Sequence, residues 1–233
     1  MNLVVIPSII NVSSAPLSYT PTRSVFTPQT RLEQTLETIK SAREKIPNAV
    51  IVLIEGSCLS TDQKEIFSHK IDYLYEAANL DPSVVKACQG PSKGYGETQQ
   101  LLSYFEKCEH FKTISDKCLT ISKLGGRIRL TDIFRFRIPE EKPIIRLANT
   151  GNRYVSSFGQ ASILTIFYTV PSKHLNLFFQ ALRDCCSIPA FVRGKISIEK
   201  SLYKTWNAYT DFEVIPVIGL EGRCAPTGSF YEL

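Results

Sequence analysis

Leu3-Val4-Val5-Ile6-Pro7-Ser8-Ile9-Ile10-Asn11 and, further along, Ala49-Val50-Ile51-Val52-Leu53-Ile54-Glu55-Gly56-Ser57 are the stretches that decide the fold. Both are apolar at successive positions rather than alternate ones. That is the pattern of a strand buried on both faces of a parallel sheet. Between them Leu32, Leu36, Ile39 and Ile46 recur at helical spacing, and Glu33, Glu37, Lys40, Arg43 and Lys45 fill the other face. Pro47-Asn48 stops that helix. Strand, helix, strand is a βαβ unit, whose right-handed crossover makes the two strands parallel.

The same alternation continues outward. A polar loop at 13–30, with Pro16, Pro21 and Pro28, directly follows the first strand; loops this long inside compact domains are commonly functional. Downstream the sequence predicts a short helix over 61–69, a strand over 71–75 and a helix over 83–88 opened by Asp81-Pro82. Gln89-Gly90-Pro91-Ser92-Lys93-Gly94-Tyr95-Gly96-Glu97 then leads into an amphipathic helix with Leu101, Leu102, Phe105 and Cys108. A strand over 118–122 ends at Lys123-Leu124-Gly125-Gly126-Arg127. Strands over 144–148 and 161–170, helices over 173–185 and 196–206, a strand over 214–220 and a loop-like tail complete the chain. The expected fold class is α/β: a three-layer αβα sandwich with a mostly parallel central sheet, one domain over 1–233.

Composition narrows the function classes. A chain of 233 residues, 43% hydrophobic and 21% charged, can bury its own core and is not disordered by composition. The net charge of +5 suits anionic small ligands and falls short of a dedicated nucleic-acid binder. Seven cysteines, an odd number without Cys-x-x-Cys spacing, read as free thiols of a reducing compartment, the cytoplasm. The first apolar run is too short to span a bilayer and has no basic residue ahead of it, so neither a signal peptide nor a membrane span is expected.

In open α/β sheets ligands bind beyond the carboxyl ends of the parallel strands. After the first strand come Asn11 and the loop with Tyr19 and Arg23, after the second Glu55, after the third Lys93, and after the fourth Lys123, Gly126 and Arg127. Residues 90–97 read in two ways: as a phosphate cradle ahead of a helix starting near Gly96, or as a turn with a helix cap. Arg127 offers a bidentate grip on a diphosphate, or belongs to a solvated basic turn. Glu55 either accepts from a ribose or base, or simply closes its strand. Glu199 is the candidate general base, or a first-turn glutamate favoured by its helix dipole. Glu221 is the second carboxylate candidate. His69, His110 and His174 share no ligand spacing and no Asp-x-Asp occurs, so no metal ligand is assigned.

These segments together resemble the small glycosyltransferase-like proteins of the nucleotide-diphospho-sugar transferase (GT-A) fold, of the kind found in large DNA viruses, phages and some bacteria. The carrying segments are 19–26, Val50 to Ser57, Lys93-Gly94-Tyr95-Gly96-Glu97, Ile121 to Arg127, Ser197-Ile198-Glu199 and Gly219-Leu220-Glu221-Gly222. The resemblance implies a nucleotide-diphosphate sugar donor and a glycan or other hydroxyl acceptor, and the host cytoplasm if the source is a virus. The implied donor-binding set is Asn11, Arg23, Glu55, Lys93, Gly94, Glu97, Lys123, Gly126 and Arg127, with Glu55 and the early loop near base and ribose and Lys93 and Arg127 near phosphate. Glu199 and Glu221 are the implied catalytic carboxylates. Many such transferases hold Mg or Mn on an Asp-x-Asp after the fourth strand. This chain has Lys123-Leu124-Gly125-Gly126-Arg127 at that place, so either cations replace the metal or catalysis is lost. Two other readings stand beside the transferase: a non-catalytic glycan-binding or assembly protein of the same fold, and a nucleic-acid binder suggested only by Arg127, Arg129, Arg135 and Arg137.

Overall fold

The computed structural model describes residues 1–147 and 162–233. In chain order these form β1 (Asn2–Ser8), α1 (Pro28–Lys45), β2 (Ala49–Glu55), α2 (Thr61–Ser68), β3 (Tyr73–Tyr75), α3 (Ala77–Leu80), α4 (Pro82–Gln89), α5 (Lys93–Lys107) and α6 (Glu109–Ile114). The second half adds β4 (Thr120–Leu124), β5 (Ile128–Leu130), β6 (Ile144–Ile145), β7 (Phe167–Pro171), α7 (Leu175–Ser187), α8 (Pro189–Val192), α9 (Ile198–Trp206), β8 (Glu213–Val214), β9 (Leu220–Arg223) and β10 (Phe230–Glu232).

The main sheet runs β3-β2-β1-β4-β7-β6-β8. β1 is parallel to β2 and to β4, and β2 to β3. β7 is antiparallel to β4 and β6, which makes the sheet mixed from that point on. Side chains of β1 alternate between its faces. Leu3 and Val5 pack with Leu101, Tyr104, Phe105, Phe178 and Trp206 of α5, α7 and α9. Val4 and Ile6 pack with Leu32 and Ile39 of α1, Phe67 of α2, and Ile128 and Leu220 of a small antiparallel sheet, β10-β9-β5. Both faces of β1 are therefore dry, as its unbroken apolar run required.

Local chemistry sets the helix starts that matter for the site. Thr27 caps α1 by accepting from the Thr30 amide, with Pro28 in the first turn. Ser92 caps α5 by accepting from the Tyr95 amide, so α5 begins at Lys93 and not near Gly96. The glycine-rich stretch is thus helix, not an open cradle. Its glycines serve packing: a Cβ on Gly94 would lie 2.7 Å from Ile198 Cβ, and one on Gly96 3.0 Å from Cys88 Cα. Close approach of α5 to α4, α8 and α9 offsets the roughly 1 kcal/mol that a helical glycine costs.

Other boundaries also move. β4 extends to Leu124, so Lys123 is a strand residue rather than the first residue of a loop. The expected strand over 214–220 divides between β8 of the main sheet and β9 of the small one, and the loop-like tail contains β10. Ala148 and Ala161, which bound two of the expected strands, lie outside the described residues. All seven cysteines are free thiols, four of them buried. Among the described residues no helix is long and apolar enough to cross a membrane.

Candidate functional site

The carboxyl ends of β1 and β4 and the start of α5 meet at one edge of the sheet. Two cavities adjoin there, sharing Lys93, Glu97 and Ile166. The smaller, about 80 Å³, is lined by Ser8, Arg31, Lys123, Gly126, Arg127 and Tyr231, among others. The larger, about 280 Å³, is lined by Tyr19, Gly94, Thr165, Ser197, Ile198 and Glu199, among others. Together they reach the low end of small-molecule sites, roughly 300–1,000 Å³. A wider groove of about 680 Å³, between the end of α1 and the turn before β3, lies at the opposite edge, away from the carboxyl ends of the strands.

Three cations define the smaller cavity. Arg31 is 5% exposed and donates from Nε to the Ile9 carbonyl at 2.6 Å and from a terminal nitrogen to Ser24 Oγ at 3.3 Å. Burial first, and Arg127 second, pull its pKa down to about 9 while Glu55 opposes; it stays cationic at neutral pH. Arg127 is half-buried, its Nε is enclosed without a partner among the described residues, and burial lowers its pKa. Lys93 is an exposed residue that lines both cavities. Desolvation, then Arg127 and Arg31, bring it down to about 8 against the pull of Glu97 and Glu199. None of the three forms a salt bridge among the described residues.

Lys123 behaves differently. Its side chain is 2% exposed, and Nζ lies 2.6 Å from Glu97 Oε1 and 2.6 Å from the Thr165 carbonyl. This pair joins β4 to α5 beneath the cavity, while Glu97 also acts on Lys93. Gly126 makes a close approach: a Cβ there would lie 2.8 Å from the Pro7 carbonyl oxygen. Glu199 faces the larger cavity from the first turn of α9 and accepts from Thr165 Oγ1 at 3.3 Å.

Lys93, Gly94, Glu97, Lys123, Gly126, Arg127 and Glu199 therefore come together. The other expected site residues do not. Arg23 is a clamp: its guanidinium donates to the carbonyls of Ala15, Cys88, Gln89 and Gly90, tying the early loop to the end of α4. Asn11 donates to the Cys58 carbonyl and to Gln63, holding that loop to the start of α2. Glu55 is 0% exposed; Oε1 accepts from the Ile10 and Ser57 amides, and burial pushes its carboxyl pKa up. It is an internal brace and does not meet the cleft. Glu221 sits opposite Arg129 in the β5–β9 ladder, 2.6 Å from its Nε. The basic run also dissolves as a surface, because Arg137 pairs with Glu213 and Arg135 donates to the carbonyls of Asp132 and Phe134.

Sequence reasoning missed Arg31 and Tyr231. Arg31 had a signal. With Thr35, Thr38 and Ser41 it forms a polar stripe at helical spacing along α1. Thr35 donates to the Gly126 carbonyl, Thr38 accepts from the Ile128 amide, and Ser41 accepts from the Leu130 amide. The stripe docks the turn that carries Arg127. Tyr231 had none, since it reaches the cavity only through the β9–β10 hairpin.

A solved transferase superposes with a TM-score of 0.51 at 11% identity, over 90% of this chain and 86% of its own. A transferase mutant with two cysteines changed to serine gives 0.50 at 12% identity, over 93% and 92%. The chain shares the fold of these two structures, an α/β fold built on a mostly parallel seven-stranded sheet. A looser likeness, TM-score 0.43 at 11% identity over 92% and 87%, to 4-diphosphocytidyl-2C-methyl-D-erythritol synthase from Anaerococcus prevotii carries no weight for the reaction. No protein-family model matches the sequence, and no curated protein is significantly similar to it.

The divalent metal that the sequence resemblance implies finds poor donors in the cleft. The carboxylates there are Glu97, already paired with Lys123, and Glu199 in the neighbouring cavity. No group of three or more His, Cys, Asp or Glu able to hold a metal occurs among the described residues. The turn after β4 presents Arg127, with Arg31 and Lys93 beside it.

Proposed function

We propose that the cleft binds a nucleotide-diphosphate sugar and passes the sugar to a hydroxyl acceptor. One observation carries this reading: Arg31, Lys93 and Arg127 line a single cavity at the carboxyl edge of a GT-A-type sheet, and no carboxylate among the described residues forms a salt bridge with any of them. Three such cations are costly to assemble without an anion to meet. The start of α5 adds the positive end of a helix dipole at the same place.

In this reaction the acceptor oxygen bonds to the anomeric carbon as the bond from that carbon to the phosphate oxygen breaks. The electron pair leaves with the diphosphate, whose added charge meets the guanidinium and ammonium groups. The acceptor proton goes to the Glu199 carboxylate, which faces the larger cavity beside the cations.

Incubation with a panel of uridine, guanosine, cytidine and thymidine diphosphate sugars, with release of free nucleoside diphosphate as the readout, tests the reading. Glu199→Gln should keep donor binding and lower turnover by about a hundredfold or more. Undiminished turnover in that variant would remove Glu199 from the mechanism. No donor binding across the panel would remove the transferase reading itself.

A further inference from the structure

We propose that the diphosphate is neutralised directly by Arg31, Lys93 and Arg127, without a divalent cation. This rests on the nucleotide-sugar reading above and says which chemistry serves the phosphates.

All three cations line the smaller cavity, and the one carboxylate lining it, Glu97, has Lys123 Nζ at 2.6 Å. A metal on Glu97 would compete with its pairing to Lys123, whose side chain is 2% exposed. Arg127 Nε is enclosed without a partner among the described residues, a donor waiting for an acceptor oxygen. A divalent cation entering the same space would add to three positive charges already there.

The charge count also has a direction. A sugar-linked diphosphate carries about two negative charges, and the departing nucleoside diphosphate about three above its last phosphate pKa near 6. Three cations match the leaving group better than the donor. Their interaction therefore strengthens as the bond to the anomeric carbon breaks, which is the condition for lowering a barrier rather than only binding a substrate.

Calorimetric titration of the wild-type protein with the four nucleoside diphosphates, their glucose conjugates and inorganic pyrophosphate, each in EDTA and in excess Mg or Mn, tests this. The expected result is binding in EDTA, unchanged or several-fold weaker with metal, and tighter for the nucleoside diphosphate than for its conjugate. Arg127→Met, checked for an unaltered thermal midpoint, should lose tenfold or more in EDTA. Binding seen only with metal, or strengthened tenfold by it, would overturn the proposal and leave the nucleotide-sugar reading intact. Pyrophosphate binding in EDTA without any nucleotide binding would do the reverse. An Arg127→Met protein of full affinity would also overturn the proposal.

Discussion

Lys93 and Lys123 line the same cavity and differ in almost everything else. Lys123 lies within β4, 2% exposed, and its charge is spent on Glu97 and the Thr165 carbonyl. Lys93 opens α5, is exposed by area, and faces two arginines without a carboxylate of its own. One region is closed electrostatically and holds the fold together. The other is open electrostatically and is where a ligand would complete the charge balance. The contrast teaches that a cation near a site is informative through what it lacks: a buried, satisfied lysine belongs to the scaffold even when it borders the cavity.

The largest test of this contrast is Lys123→Ala. Removing one partner of a buried pair typically costs about 3–5 kcal/mol, because the other charge is left behind. The Glu97 side chain is 21% exposed and can take up some water, so the expected loss is near the lower figure, read by urea unfolding. Lys93→Ala should leave stability unchanged or slightly raised, since it relieves repulsion by Arg31 and Arg127. If the two variants lost equal stability, the division between scaffold and site would be broken.

Ligand response should show the reverse order. A nucleoside diphosphate at a hundred times its dissociation constant adds about 2.7 kcal/mol to folding stability. Lys93→Ala and Arg127→Ala should each remove most of that gain in a thermal shift measurement. Retention of the full shift in both would put the phosphates elsewhere.

A smaller effect comes from pH. The free Lys93 ammonium titrates at about 8, among Arg127, Glu97, Arg31 and Glu199. A bound diphosphate favours the charged form, so binding takes up a proton once the free protein has begun to lose it. Affinity should hold steady between about pH 7 and 8, where the diphosphate is fully ionised, and fall above that, by at most about tenfold per unit for one proton, or roughly 1.4 kcal/mol. Lys93→Arg should remove the fall that begins at pH 8 and leave only the later loss as Arg31 titrates at about 9. A wild-type profile flat to pH 9.5 would separate Lys93 from the phosphates.

The sequence made some of this arrangement legible and hid the rest for physical reasons. The doubly buried strands β1 and β2 were readable because an unbroken apolar run of that length has few other uses. Lys93, Arg127 and Glu199 were readable because strand ends and helix starts fix where side chains can gather. Glu55 and Arg23 misled for the same reason. Their positions were right for a site, but hydrogen bonds to nearby backbone absorbed them, and such local pairing leaves no periodic trace. The antiparallel insertion of β7 beside β4 was also hidden, since a buried strand reads the same in either direction.

The smallest expected effect concerns the arginine two residues beyond Arg127. Arg127 stands in the turn just before β5 and lines the cavity, whereas Arg129 lies within β5 and does not line it. Arg129 meets Glu221 across the β5–β9 ladder, with side chains 53% and 24% exposed. Exposed pairs of this kind contribute about 0.2–1 kcal/mol and fade with salt. Arg129→Ala should therefore cost no more than that in urea unfolding, and the cost should shrink in high salt. It should leave the diphosphate-induced thermal shift intact, whereas Arg127→Ala should remove most of it. Matching losses of ligand response would mean that the cation cluster extends onto the small sheet and that the enclosed Nε of Arg127 is not what selects the anion.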